Sequence, residues 1–369
     1  MKALRPIPVA RPRMPATDAL VPYLQQIDKV GIYSNNGPLA RRLEDRLAAF
    51  LGVPPKSVVA AASGSAALTG SILAHAGYAT DDRRSCLMPG IGFVSAAAAV
   101  KQCGYATVFC DVDPASWQIE PGTLVQRCDL DSVGLVLPVA PYGKWIDLAG
   151  WAEFSERTRI PVVIDAAASL DSKLDWTGLH APACISFHAT KVLGSGEGGA
   201  IVCRDSGAAE AARAAINHGF KGSRSAHVAA INGKMSEYAA AVALAGLDAL
   251  QTVFPEWEHV RDTYMHAESP SDFRLIAHPE VSRCYLLAEA RDAKTCALAV
   301  DRLQRLGVGA RFWYGRGLHL EPAFTTADQS PLPVTEDLSD RLLGLPMARD
   351  LTEEEIRRVL DALGRSDHE

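Results

Sequence analysis

The chain has 369 residues, 48% of them hydrophobic, which allows a sizeable core and two domains, or one large domain with an appendage. A formal charge of −6 and a pI near 6.0 run against a nucleic-acid protein, which needs a basic surface to meet phosphate. No run of about 18 uninterrupted, strongly apolar residues marks a membrane span, and the N-terminus MKALRPIPVARPRMP lacks the apolar core of a secretory signal.

The cysteines at 86, 103, 110, 128, 184, 203, 284 and 296 contain no C-x-x-C pair. They read as buried thiols of a cytoplasmic protein rather than as a disulfide frame or zinc site.

In chain order, Leu39 to Leu51 carries apolar residues at 39, 43, 47, 50 and 51 with charges between them, and Gly52 follows: an amphipathic helix. Short β-branched runs come next at Val58-Val59, Thr107 to Phe109, Val133 to Val136, Val162 to Ile164 and Ile201-Val202. Helical segments such as Ser65 to His75 and Phe93 to Gln102 lie between them. Strands apolar on both faces and separated by helices predict an α/β fold with a mainly parallel sheet. From Met235 the pattern changes to one long apolar helix, Met235 to Leu250, which Phe254-Pro255 is expected to break. A strand at Cys284 to Leu287, a helix from Ala297 to Leu306 and a last helix from Thr352 follow, the last opening on a Thr352-x-x-Glu355 capping box. The expected organisation is a large domain over 1–245, with the N-terminal segment 1–37 included, and a smaller α+β domain over 246–369.

Four features carry chemistry. Ser63-Gly64-Ser65-Ala66 stands between a strand and a helix, where small residues leave backbone N–H groups open to an anion; taken alone it reads more readily as a tight turn with a plain N-cap. Asp165 closes the run Val162-Val163-Ile164, at the strand end where open α/β sheets place their ligands. Among small neighbours it wants a cation, either a structural one or a protonated pyridine nitrogen. Lys191 follows Ser186-Phe187-His188-Ala189-Thr190 and precedes the glycine-rich stretch 194–199. A desolvated lysine there forms imines readily, although by itself it reads as an ordinary loop lysine, and a Walker P-loop places its lysine after the glycines. Phe93, after Gly90 and Gly92, is placed either to stack on a ring or to pack in the core.

In their order and spacing these pieces resemble the DegT/StrS-type nucleotide-sugar aminotransferases, a branch of the fold-type I pyridoxal-phosphate (PLP) enzymes of the aspartate aminotransferase superfamily. The likeness runs from Tyr33-Ser34-Asn35-Asn36-Gly37 to Leu345-Pro346-Met347. It is most specific in SFHATKVLGSGEGGAIV at 186–202, FCDVDPASW at 109–117, INGKMSEYAAAVAL at 231–244 and GLHLEPAF at 317–324.

The resemblance implies a large α/β/α domain with a small C-terminal domain, and PLP as cofactor. It makes Lys191 the lysine that holds PLP as an internal aldimine and later moves a proton between Cα and C4′. Asp165 is then the residue that keeps the pyridine nitrogen protonated, so that the ring is an electron sink. Gly64, Ser65, the backbone of Ala66, and Ser186 cradle the phosphate, and Phe93 stacks on the ring. Asn232 reaches the phosphate of the neighbouring subunit, so a homodimer with shared active sites is implied. His188, His319 and Tyr33 are the candidate substrate contacts.

The implied reaction moves an amino group from glutamate to a keto-deoxysugar nucleotide. Two departures bear on this: Ala168 stands where many members carry Gln or His against the ring hydroxyl, leaving Ser169, water or nothing, and Gly92 stands where Thr usually precedes the aromatic. The dehydratase branch has histidine in place of the lysine, so Lys191 counts against it. A PLP-binding sensory or regulatory protein, or an enzyme of the same family acting on a non-sugar carbonyl, are the alternatives.

Overall fold

A computed structural model describes residues 5–127, 130–172, 174–268, 270–325 and 329–364, so Cys128 lies outside the described residues. The chain begins with helices α1 (Thr17–Val30) and α2 (Pro38–Leu51). It then alternates: β1 (Val58–Ala61), α3 (Gly64–His75), β2 (Ser85–Pro89), α4 (Val94–Gln102), β3 (Ala106–Cys110), α5 (Pro121–Arg127), β4 (Val133–Val136), α6 (Leu148–Thr158), β5 (Ile164–Asp165), β6 (Ala183–Ser186), β7 (Gly199–Val202) and α7 (Ser206–Ala215). The long α8 (Glu237–His266) leads to β8 (Phe273–Ile276), β9 (Leu286–Ala290), α9 (Ala293–Arg305), α10 (Pro333–Arg341), β10 (Leu342–Leu345) and α11 (Glu353–Gly364).

The expected mainly parallel sheet is present. β3, β2 and β4 pair in parallel, single bridges Val136↔Val162 and Val139↔Asp165 carry the sheet on to β5, and β6 pairs in parallel with β5. β7 runs antiparallel to both β6 and β1, giving the order β3-β2-β4-β5-β6-β7-β1. Alternate residues of each strand feed opposite faces: Val58 and Ala60 join the core on the side of α2 and α8, while Val59 and Ala61 join the one beneath α3, α4 and α7. Both faces are apolar, which is why these strands read as continuous apolar runs. Because β1, β5 and β6 run the same way, Ser63, Asp165 and Ser186 come out at one edge of the sheet.

The C-terminal part is a three-stranded antiparallel sheet, β10-β9-β8, with α9, α10 and α11 packed around it. The capping box forms as expected, with Thr352 N donating to Glu355 Oε2 at 3.0 Å and Glu355 N to Thr352 Oγ1 at 3.2 Å. Near the N-terminus the chain makes parallel bridges to this part of the molecule at Ile7↔Val308 and Ala10↔Met347.

Pro255 does not break the helix. α8 runs unbroken for 30 residues through it and across position 245. Pro255 and Gln251, four residues before it, both lie on the exposed face, so the carbonyl that loses its partner still meets solvent. By length and composition α8 could also cross a membrane, yet Ala240, Leu244, Leu247 and Leu250 lie buried in the core. Its first residue, Glu237, is buried and accepts the backbone N–H groups of Leu39 at 2.7 Å and Ala40 at 2.9 Å, which neutralises the start of α2.

Candidate active site

The turn after β1 is built by Ser63, whose Oγ accepts from Ala66 N at 3.0 Å and caps α3. The helix therefore begins at Gly64, one residue before its sequence-predicted start. Ser65 is exposed on the first turn, where N–H groups have no acceptor within the helix. Gly64 faces the end of β6, and a Cβ on it would lie 3.0 Å from Ser186 Cβ. Gly199, between the two strands, would put a Cβ 2.8 Å from the Ser63 carbonyl and from Ile185 O. Glycine at 64 and 199 thus lets the turn and the strand end close on each other. Gly64, Ser65 and Ser186 form a small, polar rim at a helix N-terminus, the form an anion cradle takes.

Asp165 ends β5 only 4% exposed. Its Oδ1 accepts from Ala167 N at 3.0 Å. Burial raises its carboxyl above the usual carboxylate range, against the smaller opposing pull of the Ala167 N–H and of the Lys191 charge.

Lys191 sits in the long turn that joins β6 to the antiparallel β7. Phe187 N to Gly198 O (2.8 Å), Ala189 N to Gly196 O (2.9 Å) and Ser195 N to Phe187 O (2.7 Å) lace that turn. Gly196 adopts a φ of +81°, and Gly194 would put a Cβ 3.0 Å from Ala189 O. The glycine-rich stretch is therefore the return limb of a tight loop that projects Lys191 beside the strand end. Lys191 Nζ donates to the Tyr285 hydroxyl at 2.8 Å and lies 5.2 Å from the centre of that ring.

Tyr285 belongs to an aromatic wall that the sequence reading missed. Tyr142 stands edge-on to Tyr285 at 5.3 Å and Trp313 edge-on at 5.6 Å, while Tyr314 lies 4.6 Å from Tyr142 and its hydroxyl accepts from Tyr142 N at 3.0 Å. The Tyr285 segment is tied to the loop that follows Asp165. Ser282 Oγ donates to Asp171 Oδ1 at 2.6 Å, Arg283 N to Asp171 Oδ2 at 2.9 Å, and Ser282 N to Tyr142 O at 2.8 Å. No local pattern reveals this, because Tyr285 borders an apolar strand like any core aromatic.

Phe93 is the N-cap of α4 and 56% exposed, its ring available for stacking rather than packed in the core. Asn232 is exposed, with its Oδ1 accepting from Lys234 Nζ at 2.6 Å. Tyr33, 53% exposed, stacks on Tyr238 with ring centres 6.2 Å apart. His188 turns to Thr190 Oγ1 at 2.9 Å. His319 is 2% exposed and faces Glu336 Oε1 at 3.2 Å, its Nδ1 without a hydrogen-bond partner. Ser169, the alternative contact for the ring hydroxyl, is fully buried and its Oγ also has no partner.

A buried carboxylate that feels the Lys191 charge and a small polar cradle lie at the carboxyl edge of a seven-stranded α/β sheet, the architecture of the fold-type I aminotransferases, and comparison with known proteins gives the class. The profile of the DegT/DnrJ/EryC1/StrS aminotransferase family matches residues 16–364, and the chain belongs to that family. It is 30% identical to protein Rv3402c of Mycobacterium tuberculosis over 97% of this chain and 89% of the relative. It is also 30% identical to a dTDP-4-amino-4,6-dideoxy-D-glucose transaminase of Shigella dysenteriae over 67% of this chain and 66% of the relative. The structure of DesI in the presence of its TDP-sugar product superposes with a TM-score of 0.86 at 29% identity, covering 98% of this chain and 93% of that one.

The structure of a putative PLP-dependent aminotransferase from Bacillus cereus superposes with a TM-score of 0.86 at 24% identity over 98% of this chain, a likeness of fold, and the residues present fit PLP. The Gly64–Ser186 approach leaves room that a side chain would fill, and Asp165 is a buried carboxylate suited to a protonated pyridine.

Proposed function

We propose that the protein transfers an amino group from glutamate to a keto-deoxysugar carried on a nucleotide. The observation that carries this reading is the buried Asp165 with the Lys191 charge acting on it at the cradle edge. The transaminase of Shigella dysenteriae and DesI with its TDP-sugar support a nucleotide sugar as acceptor.

When bound, PLP supplies a ring that withdraws electrons from the carbon being aminated or deaminated. Gly64, Ser65 and Ser186 would hold its phosphate, Phe93 would cover one ring face, and Asp165 would keep the ring nitrogen protonated. Lys191 Nζ would hold the cofactor and, once free of it, would carry a proton to and from the substrate Cα. The aromatic wall of Tyr142, Tyr285 and Trp313 keeps water from one side of Nζ.

The purified protein with PLP is expected to be yellow, and glutamate alone should bleach that band as the amino group is taken up. A later keto-deoxysugar nucleotide should restore it, with the aminated sugar found by mass spectrometry. A band that glutamate leaves unchanged would refute glutamate as donor. Restoration by a cyclic non-sugar ketone, but by no sugar nucleotide, would move the acceptor outside the sugars.

We also infer a homodimer with shared sites, in a reducing cytoplasm where Cys86, Cys103, Cys184, Cys203, Cys284 and Cys296 stay free. Asn232 has its amide at the surface, and exposed Ile32, Tyr33, Tyr238 and Phe93 supply apolar area for a partner. Asn232→Ala is expected to weaken PLP binding about tenfold, the worth of one hydrogen bond to a charged group. Equilibrium dialysis checks this, and sedimentation should show the wild type as a dimer. A fully active monomer would contradict the shared site.

A further inference from the structure

Among the described residues the Tyr285 hydroxyl has one hydrogen-bond partner, Lys191 Nζ at 2.8 Å. Its ring cannot readily turn away, since Tyr142 and Trp313 stand edge-on to it at 5.3 and 5.6 Å. The backbone that carries it is pinned as well. Tyr285 N donates to Ser282 O at 3.0 Å, and Ser282 and Arg283 are tied to the buried Asp171, six residues beyond Asp165. Arg283 adds an ion pair to the same carboxylate at 3.4 Å and a second to Glu258 at 2.8 Å. The hydroxyl is therefore held at a fixed point by the loop that also follows the proposed pyridine-binding carboxylate. Burial, with Cys284, Asp165 and Asp171 alongside, pushes the phenol well above its ordinary range, so it keeps its proton at working pH.

We propose that Tyr285 is a positioning residue for Lys191: its hydroxyl is the station that receives Nζ whenever the lysine is free of the cofactor and serves as proton carrier. This rests on the reading of Lys191 as the PLP lysine. A phenol suits the task because it accepts from an ammonium and donates to an amine, so Nζ keeps a partner in either protonation state. The bond to the ammonium is charge-assisted and the stronger of the two. No covalent change occurs at Tyr285, and its own proton stays on its oxygen. The residue comes from the C-terminal part and Lys191 from the central sheet, so each turnover makes and breaks one contact across that boundary.

The test uses the full chain freed of PLP and trace acetylation of Lys191 by acetic anhydride at pH 7, read by mass spectrometry of the peptide that contains it. Tyr285→Phe keeps the ring and removes only the hydroxyl. Nζ is then no longer tied to a partner, and acetylation is expected to be faster by about tenfold, the low end for one hydrogen bond to a charged group. Tyr314→Phe removes a neighbouring hydroxyl that bonds the Tyr142 backbone instead, and its rate should stay within about twofold of the wild type, well below that effect.

Equal rates in Tyr285→Phe and the wild type would overturn the proposal. So would an equal acceleration in Tyr314→Phe, which would mean general wetting of the wall, or a Tyr285→Phe chain that no longer folds, which would make the hydroxyl a structural group. The measurement needs neither cofactor nor sugar, so a failure of transamination leaves it intact. Wild-type protein that never attaches PLP to Lys191 would instead remove the reading beneath it.

Discussion

Lys191→Ala is expected to give a folded protein that binds PLP without a covalent link and turns over at least about a thousandfold more slowly, the scale of losing a general base and nucleophile together. Folding should survive because Nζ makes one side-chain hydrogen bond, to Tyr285, at the end of a half-buried chain. The loop that carries it is laced through backbone atoms of Phe187, Ala189 and Ser195, which the substitution leaves in place. Borohydride should fix PLP to the wild-type peptide containing Lys191 and to no peptide of the variant. Turnover within tenfold of the wild type would remove Lys191 from the chemistry, whatever the colour of the protein.

Asp165→Asn should separate stability from function. Burial raises the Asp165 carboxyl, so the folded chain holds that proton more tightly than the unfolded one does. The cofactor-free protein is then stabilised at acid pH and loses that stability as pH rises through the raised value. At neutral pH the penalty of a buried charge is fully present. The isosteric amide carries no such charge, so the cofactor-free variant should melt above the wild type at pH 7, and the gap should close below the usual carboxylate range.

With PLP the order should reverse, because only the carboxylate pairs with a protonated ring, and turnover should fall by about a hundredfold or more. Calorimetry at pH 4 and pH 7, with and without PLP, measures all four states. A variant that melts lower than the wild type at pH 7 without cofactor would mean that Asp165 is paired in the folded chain by something other than the cofactor. The smaller opposing pull of Lys191 in its environment sets the limit of that alternative.

The two substitutions differ in cause. Lys191 acts through reach and nucleophilicity at the tip of a loop, whereas Asp165 acts through charge held in a dry place at a strand end. Protein that carries only one of them should bind PLP more weakly than the wild type yet still gain thermal stability from it, since the cradle at Gly64 and Ser186 is untouched.

The sequence by itself determined those parts whose signal is local. The run Val133 to Val136 is β4 residue for residue, Thr352 and Glu355 form the expected cap, and the apolar strands declare a sheet covered on both faces. The placing of Ser65, Asp165, Ser186 and Lys191 at strand ends or turns was legible for the same reason, since small residues and glycines interrupt the pattern beside each.

Tertiary structure decided what depends on distant neighbours. Pro255 stays inside α8 because Gln251 and the proline face outward, a fact of orientation that composition does not carry. His319 turns to Glu336 and Ser169 is sealed in the interior, although both read from sequence as polar groups free to meet substrate or ring. Tyr285 is 94 residues from Lys191, and only the pairing of Ser282 and Arg283 with Asp171 brings its hydroxyl to Nζ. A tyrosine beside an apolar strand has the same local signature whether its hydroxyl meets solvent, a carbonyl or a lysine, because that partner is fixed by packing and not by the residues next to it in the chain.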